Sequence, residues 1–339
     1  MKFIGSKNGE ISVFTEEEPS VVDHHLKIET LYSAISPGTE LSMSSKSKDE
    51  VLKLGYSAVG TVVECGNEVE GFEVGDVVAV YGAPYTGHRE YLIVPKTLCA
   101  KVGDGVDHKD AALAGLGAIA IHALRQADLQ FGETIVVVGL GIYGQLISQI
   151  GRAAGFRVLP LNRSRARAEL LESVSGIKSY DDEHEMQMRL NEITHGKGAD
   201  AVFLCAGGQA GDLTNKSLHW LKDRGTSVIV GDFAVDYQRQ AMFTKEIVIK
   251  ISRAGGPGRY DTSYEKMAVD YPYGYVRWTE GRNTEEFIRL LQDKLITVSD
   301  YYDQPFFVDE CNKAYNSLNV RGSSFLTQVI YYKKEDQRQ

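Results

Sequence analysis

The sequence predicts an α/β protein: a β-rich unit drawn from both ends of the chain, with a doubly wound parallel-sheet unit inserted into it. Three observations predict this. Residues 1–115 hold short β-branched runs closed by glycines. From about 117 to 250 strand-like and helix-like runs alternate. Near 251 the alternation stops, and a last strand-like run, "SSFLTQVIYY", comes close to the end of the chain. The expected boundaries are 1–116 with 251–339 for the β-rich unit and 117–250 for the insertion.

In the first part, "GYSAVGTVVECG" and "GDVVAVYG" read as strands, and the Gly-punctuated "VEGFEVGD" turns one back on the other. Polar and apolar residues alternate poorly, which favours a folded-over, barrel-like sheet over a flat one. "KDAALAGLGAIAIHALRQADL" has helical spacing and opens the insertion. "ETIVVVGL", "FRVLPLN", "ADAVFLCAG" and "TSVIVGDF" read as strands, with the helices "GQLISQIGRAAG", "RARAELLESV" and "LTNKSLHWLKD" between them. Such alternation implies right-handed crossovers and a parallel sheet buried on both faces.

The bulk figures exclude several classes. The chain has 339 residues, 43% hydrophobic and 24% charged, which suits a soluble protein of two domains. A net charge of −9 without a Lys/Arg run argues against a nucleic-acid partner. The start, "MKFIGSKNGEISVF", lacks a signal-peptide pattern, and no apolar run is long enough to span a bilayer. Cys65, Cys99, Cys205 and Cys311 are far apart, so reduced thiols and a cytoplasmic setting are expected.

"VVVGLGIYG" supplies Gly139, Gly141 and Gly144 in G-x-G-x-x-G spacing, directly after an apolar strand and opening a helix. In that context the motif binds a dinucleotide. The first glycine permits a tight turn, the second lets the backbone approach the pyrophosphate, and the third packs helix on strand. At the next strand end Asn162 takes the place of the usual Asp or Glu, and Arg163 and Arg165 follow. A carboxylate would repel a 2′-phosphate, whereas guanidinium can grip one. The expected cofactor is NADP(H), with NAD(H) the alternative.

Along nearly its whole length the chain resembles the medium-chain dehydrogenase/reductase superfamily. The likeness is carried by "SAISPGTEL", "GYSAVGTVVECGNEVEGFEVGDVVAV", "HREYLIVP", "VVVGLGIYG" and "GADAVFLCAGG". It implies a GroES-like catalytic domain with an inserted Rossmann domain and an active site in the cleft between them. It also implies a cofactor set extended to Ile142, Tyr143, Ala206, Gly207 and Gly231. Zinc members carry ligands where this chain has Pro37, Tyr56 and, near the third, Leu116. No zinc or other metal is therefore expected. The segment "GPGRYDTSYEKMAVDYPYGYVRWTEGRNTEEF" is similar to the dehydrogenase half of bacterial bi-domain oxidoreductases of polysaccharide metabolism. That likeness implies a sugar or cyclitol substrate.

Without zinc, a side chain must move the hydroxyl proton. Tyr56, at the histidine-ligand position, is the first candidate. Glu40 beside the relay hydroxyl of Thr39 would orient Tyr56 or act as base, and His88 in its loop is a candidate shuttle. Tyr85, Arg89, Arg259, Tyr260, Tyr275, Arg277 and Trp278 pair aromatic faces with arginines, as sugar sites do. Three functions remain open: a zinc-independent sugar or cyclitol dehydrogenase, a quinone or enone reductase, and an NADP(H)-binding protein without turnover. A homodimer is expected from the resemblance.

Overall fold

The structure, a computed structural model, describes residues 1–207, 212–318 and 325–333. One unit comprises Met1–Ala118, Gly255–Lys294 and Val298–Gln339, the other Ile119–Ala254 with Leu295–Thr297. The last three residues are an addition that the sequence does not announce. The Gln149 side chain holds them, donating to the Thr297 carbonyl at 2.7 Å and accepting from its N–H at 3.0 Å.

The first unit begins with eight strands: β1 (Lys2–Lys7), β2 (Glu10–Thr15), β3 (His25–Ala34), β4 (Leu52–Lys53), β5 (Ser57–Cys65), β6 (Val77–Tyr81), β7 (Tyr91–Pro95) and β8 (Cys99–Lys101). Helix α1 (Pro37–Ser45) lies between β3 and β4. β1 is the centre of a small antiparallel sheet, β2-β1-β4. β3 pairs with both β5 and β7, and its register slips at Lys27/Ile28 and at Thr30/Tyr32. Each slip adds local twist and bends the strand, which folds the sheet over. Helices α2 (His108–Ala111) and α3 (Ala114–Gln126) follow, and the chain enters the second unit within α3.

The second unit is a five-stranded parallel sheet: β9 (Thr134–Val138), β10 (Arg157–Leu161), β11 (Ala199–Leu204), β12 (Leu221–Ile229) and β13 (Val248–Ile251), in the order β10-β9-β11-β12-β13. Every residue of β9 is buried, as a strand covered on both faces requires. Its helices are α4 (Ile142–Ala153), α5 (Arg165–Ser175), α6 (Glu183–Thr194), α7 (Leu213–Trp220) and α8 (Arg239–Lys245). A single parallel bridge, Leu161 to Tyr180, adds a vestigial strand beyond β10. "LKD", expected as the end of a helix, is instead the start of β12. Leu221 is fully buried there, and Lys222 is ion-paired with Asp200 at the start of β11.

The chain then returns to the first unit through α9 (Thr262–Glu265), α10 (Glu280–Gln292), β14 (Phe306–Phe307), α11 (Cys311–Leu318) and β15 (Val329–Tyr331). β15 lies antiparallel on β3, so the two ends of the chain meet in one sheet, β14-β15-β3-β5-β6-β8. Residues 323 and 324 of the predicted closing run lie outside the described part. All four cysteines are unpaired. Among the described residues no helix is long and apolar enough to cross a membrane.

Candidate functional site

In the second unit the chain goes from β9 to β10 on one side and reaches β11 on the other. Such a reversal opens a crevice at the carboxyl ends of β9 and β11, where open α/β sheets take their ligands. The glycine loop lies at this point. Gly139 adopts φ +93°, a left-handed conformation, and a side chain there would come within 2.7 Å of the Ala206 nitrogen at the end of β11. Gly144 stands so close to the Gly139 carbonyl that a Cβ would overlap its oxygen. Gly141 caps α4 without a side-chain bond, which leaves the first N–H groups of a twelve-residue helix to bind an anion. Ile142 is buried and Tyr143 half-buried in the first turn. Gly231, after β12, donates to the Leu204 carbonyl at 2.9 Å and closes on Ala206.

A cavity of about 430 Å³ opens beside this loop, lined by Gly139, Asn162, Arg163, Ala206 and Gly207 among others. That size is in the range of small-molecule sites. The three residues expected at the ribose end behave differently from one another. Arg163 lines the cavity, and among the described residues no ion pair is found for it. Arg165, expected to share the phosphate, is paired in this structure with Glu169, one helical turn on at 2.7 Å, with Asp181 at 3.9 Å. Asn162, expected at the ribose, braces the loop. Its carbonyl accepts the Leu140 N–H at 2.9 Å and its amide donates to the Ser164 carbonyl at 3.0 Å, which fixes the loop. Sequence reasoning missed Arg167, whose Nη1 would lie 3.8 Å from a Cβ on Gly141 and so stands at the helix N-terminus. The third arginine of "NRSRAR" was the available signal.

The proton-transfer candidates all lie in the first unit. Thr39 is exposed in α1. Glu40, the next residue, is fully buried and carries three bonds. Its Oε1 accepts the Ser36 N–H at 2.7 Å, and its Oε2 accepts from His88 Nε2 at 2.9 Å and from the Tyr315 hydroxyl. His88 Nδ1 meets Ser33 Oγ at 2.7 Å, and Ser33 Oγ meets the Tyr332 hydroxyl at 2.6 Å. The contacts close as one chain in which Tyr332 can donate to Ser33, Ser33 to Nδ1, and Nε2–H to Glu40. Burial, followed by the Glu40 charge, holds the Tyr315 phenol well above its ordinary range. The expectation that His88 shuttles protons in a cleft is therefore corrected. The ring has no exposed surface and both nitrogens are engaged. Glu40 as a free base is corrected for the same reason: its carboxylate holds the segments around Ser36, His88 and Tyr315 together.

Tyr56 is half-buried and packs edge-on against Tyr81, with ring centroids 6.1 Å apart. Behind Tyr81 lies a charged cluster that the sequence did not reveal. A Cβ on Gly255 would be 2.5 Å from the Tyr81 ring and 3.1 Å from Glu280 Cβ, so the two side chains face each other across that glycine. Arg259 is ion-paired with Glu265, and both are largely buried. Glu280, the first residue of α10, is fully buried, and among the described residues neither carboxyl oxygen has a donor. Burial pushes its pKa up to about 8, against the pull of Arg259. The same cluster reaches Tyr85, whose phenol is raised by burial and by Glu265.

The predicted substrate residues do not form one group. Tyr85 and Arg89 line an open cavity of about 690 Å³ in the first unit. Arg259 turns to Glu265 and stacks on the exposed Tyr260, 4.3 Å from its ring centroid. Arg277 stacks between Trp278 at 3.6 Å and Tyr273 at 4.4 Å, and Tyr275 is 91% exposed. Of the set expected to recognise a sugar, Tyr85, Arg259 and Tyr260 share one neighbourhood, and Arg277 and Trp278 form a stack with Tyr273. Among the described residues no three His, Cys, Asp or Glu side chains converge in a group that could hold a metal ion.

Residues 141–269 match the family described as zinc-binding dehydrogenase. The chain is 24% identical to the sorbitol dehydrogenase of Halalkalibacterium halodurans, over 91% of this chain and 93% of that protein. The crystal structure of 2R,3R-butanediol dehydrogenase from Bacillus subtilis superposes with a TM-score of 0.75 at 19% identity, covering 98% of this chain and 99% of that one. A Sinorhizobium meliloti protein bound to NADP superposes with a TM-score of 0.76 at 19% identity, covering 97% and 98%. The chain thus has the fold of the medium-chain dehydrogenases/reductases, and residues 141–269 are similar in sequence to zinc-binding dehydrogenases.

Proposed function

We propose that this protein is a zinc-independent, NADP(H)-dependent dehydrogenase acting on a secondary alcohol of a sugar, polyol or cyclitol. The observation that carries the reading is the cavity at the end of β9 and β11, with its glycine loop, open helix N-terminus and Arg163, which has no ion pair among the described residues. The nicotinamide, when bound, accepts or supplies the hydride. The pyrophosphate is assigned to the N–H groups of α4 and to Arg167, the 2′-phosphate to Arg163. Arg163→Ala is expected to weaken NADPH binding about 10- to 100-fold, the loss of one charge-assisted bond, and NADH binding by about threefold or less. Fluorescence titration reads both; equal losses would reject the phosphate assignment.

The donor chemistry supports zinc independence. Pro37 has no ligand atom and begins α1, Leu116 is a buried apolar side chain, and Tyr56 is a phenol. Proton movement is assigned to Tyr56, whose hydroxyl donates to the carbonyl oxygen during reduction and receives the proton back during oxidation. Tyr56→Phe is expected to lower kcat at least about 100-fold, the usual share of a general acid, and to leave NADPH binding unchanged. Turnover near the wild-type rate would remove Tyr56 from the mechanism. The likeness to a sorbitol dehydrogenase favours polyols, and the bi-domain resemblance favours sugars and cyclitols within that class. A panel of polyols and cyclitols, followed by NADPH absorbance, tests the function; quinone reduction without polyol oxidation would overturn it.

A homodimer is also proposed. β13 is an edge strand with Val248 43% and Ile251 70% exposed, an apolar edge of the kind that pairs with another chain. Sedimentation at two concentrations reads the mass.

A further inference from the structure

The buried carboxyl of Glu280 presents a contradiction if it is ionised. A carboxylate without exposure and, among the described residues, without a single donor would carry a heavy desolvation cost. Its neighbour is a second buried carboxyl, Glu265: the Tyr264 hydroxyl, one residue before it, donates to Thr279 Oγ1, one residue before Glu280, at 2.9 Å, and Glu265 helps to raise the Glu280 carboxyl. Two carboxylates side by side offer only acceptors, so neither can satisfy the other. One proton between them turns the contact into a hydrogen bond and removes the repulsion. Arg259, bound to Glu265, then balances the single remaining charge.

We infer that Glu265 and Glu280 share one proton and that this pair, held by Arg259, is a positioning element for the tyrosine site, keeping the ground behind Tyr81 and Tyr56 free of net charge. The role for the tyrosines rests on the function proposed above; the shared proton does not. Loss of that proton leaves two negative charges against one guanidinium in a buried site. Tyr81, already raised by burial, by Glu280 and by Tyr56, then becomes harder to ionise, and so does any phenol coupled to it. The proton belongs to the pair and not to either residue.

The groups around the pair leave room for this behaviour. Arg259, Tyr81, Tyr264 and Tyr271 are the charged or titratable side chains that interact with Glu280 besides Glu265. On α10 itself Arg282 is paired with Asp270 and Arg289 with Glu286 and Asp293, and the exposed Glu285 faces Arg282. Of the other elements packed on α10, β8 offers the buried thiol Cys99 and Lys101, which is paired with Asp76. In α2 Asp110 is bound by Tyr302 and Lys109 by Asp107, while Lys96 in the turn before β8 donates to the Glu68 carbonyl. Arg259 is the cation that the pair interacts with.

Infrared spectroscopy of the folded protein decides the question directly. A protonated-carboxyl stretch is expected at pH 7 that fades as the pH passes about 8, and that is lost in both Glu280→Gln and Glu265→Gln. Its absence in the wild type, or its survival in either folded variant, overturns the pair. Should one variant fail to fold, the other and the wild-type titration still decide. The second arm is the pH profile of polyol oxidation. Wild-type kcat is expected to bend near pH 8 and the Glu280→Gln profile to lose that bend, a change that a merely structural residue would not produce. An unchanged bend in a folded Glu280→Gln overturns the positioning role. Failure of every polyol removes the proposed function and with it that role, while the infrared result stands alone.

Discussion

Glu40→Ala should melt about 10 °C below the wild type. The alanine leaves three buried donors without an acceptor: the Ser36 N–H, His88 Nε2 and the Tyr315 hydroxyl. Each stranded donor costs about 1–3 kcal/mol, and relaxation recovers part of that. A net loss of roughly 3–5 kcal/mol corresponds to about 2–4 °C per kcal/mol in a unit of this size. The three donors come from the segment before α1, from the loop before β7 and from α11, so their separation would also loosen the sheet closed by β15. Glu40→Gln should fall between the two, because its amide keeps one acceptor and faces the remaining donors with another donor. Thr39→Ala is the control. It is the neighbouring residue, exposed and in the same helix, and should shift the transition by no more than about 0.5 kcal/mol. Thermal melts of the three variants check this. A Glu40→Ala melting point equal to that of Thr39→Ala would show that the buried network does not hold the unit together.

The contrast between Glu40 and Gly139 explains what could be read from the chain. The dinucleotide crevice was legible because its chemistry is local: strand, glycine turn and helix run from Thr134 to Ala153 without interruption. Burial of β9 on both faces leaves a plain apolar run, and the close approach of Gly144 to Gly139 leaves a glycine that nothing else can replace. The polar centres of the first unit leave no such trace. Glu40 meets His88 and Tyr315, which lie 48 and 275 positions away. Glu280 opens a helix of mixed charge, "EGRNTEEFIRLLQ", in which any glutamate reads as solvated. Only the return of residues 255–294 to the first unit sets Glu280 beside Tyr81. Arg165 differs for a local reason: it has an acidic partner, Glu169, one helical turn away. Arg163, outside the helix, has no acidic residue three or four positions away.

Gly144→Ala should damage both the stability of the second unit and its grip on NADPH, and Gly141→Ala should separate the two effects. A methyl on Gly144 would overlap the Gly139 carbonyl oxygen, a backbone atom in the turn itself. Neither side can rotate away, so α4 must shift off β9; overpacking of this kind costs about 1–3 kcal/mol. The shift also moves the helix N-terminus that is assigned to the pyrophosphate, and NADPH should bind at least about tenfold more weakly, equal to 1.4 kcal/mol. On Gly141 the nearest atom to a new methyl is Arg167 Nη1 at 3.8 Å, an ordinary contact. The free protein should therefore melt like the wild type. Its methyl, however, stands where the pyrophosphate must approach the backbone, so binding should fall as far as in Gly144→Ala or further. Scanning calorimetry with NADPH titration reads the two quantities independently. Normal NADPH affinity in a folded Gly141→Ala would mean that the dinucleotide does not pass over this loop, and the assignment of the crevice would have to be abandoned.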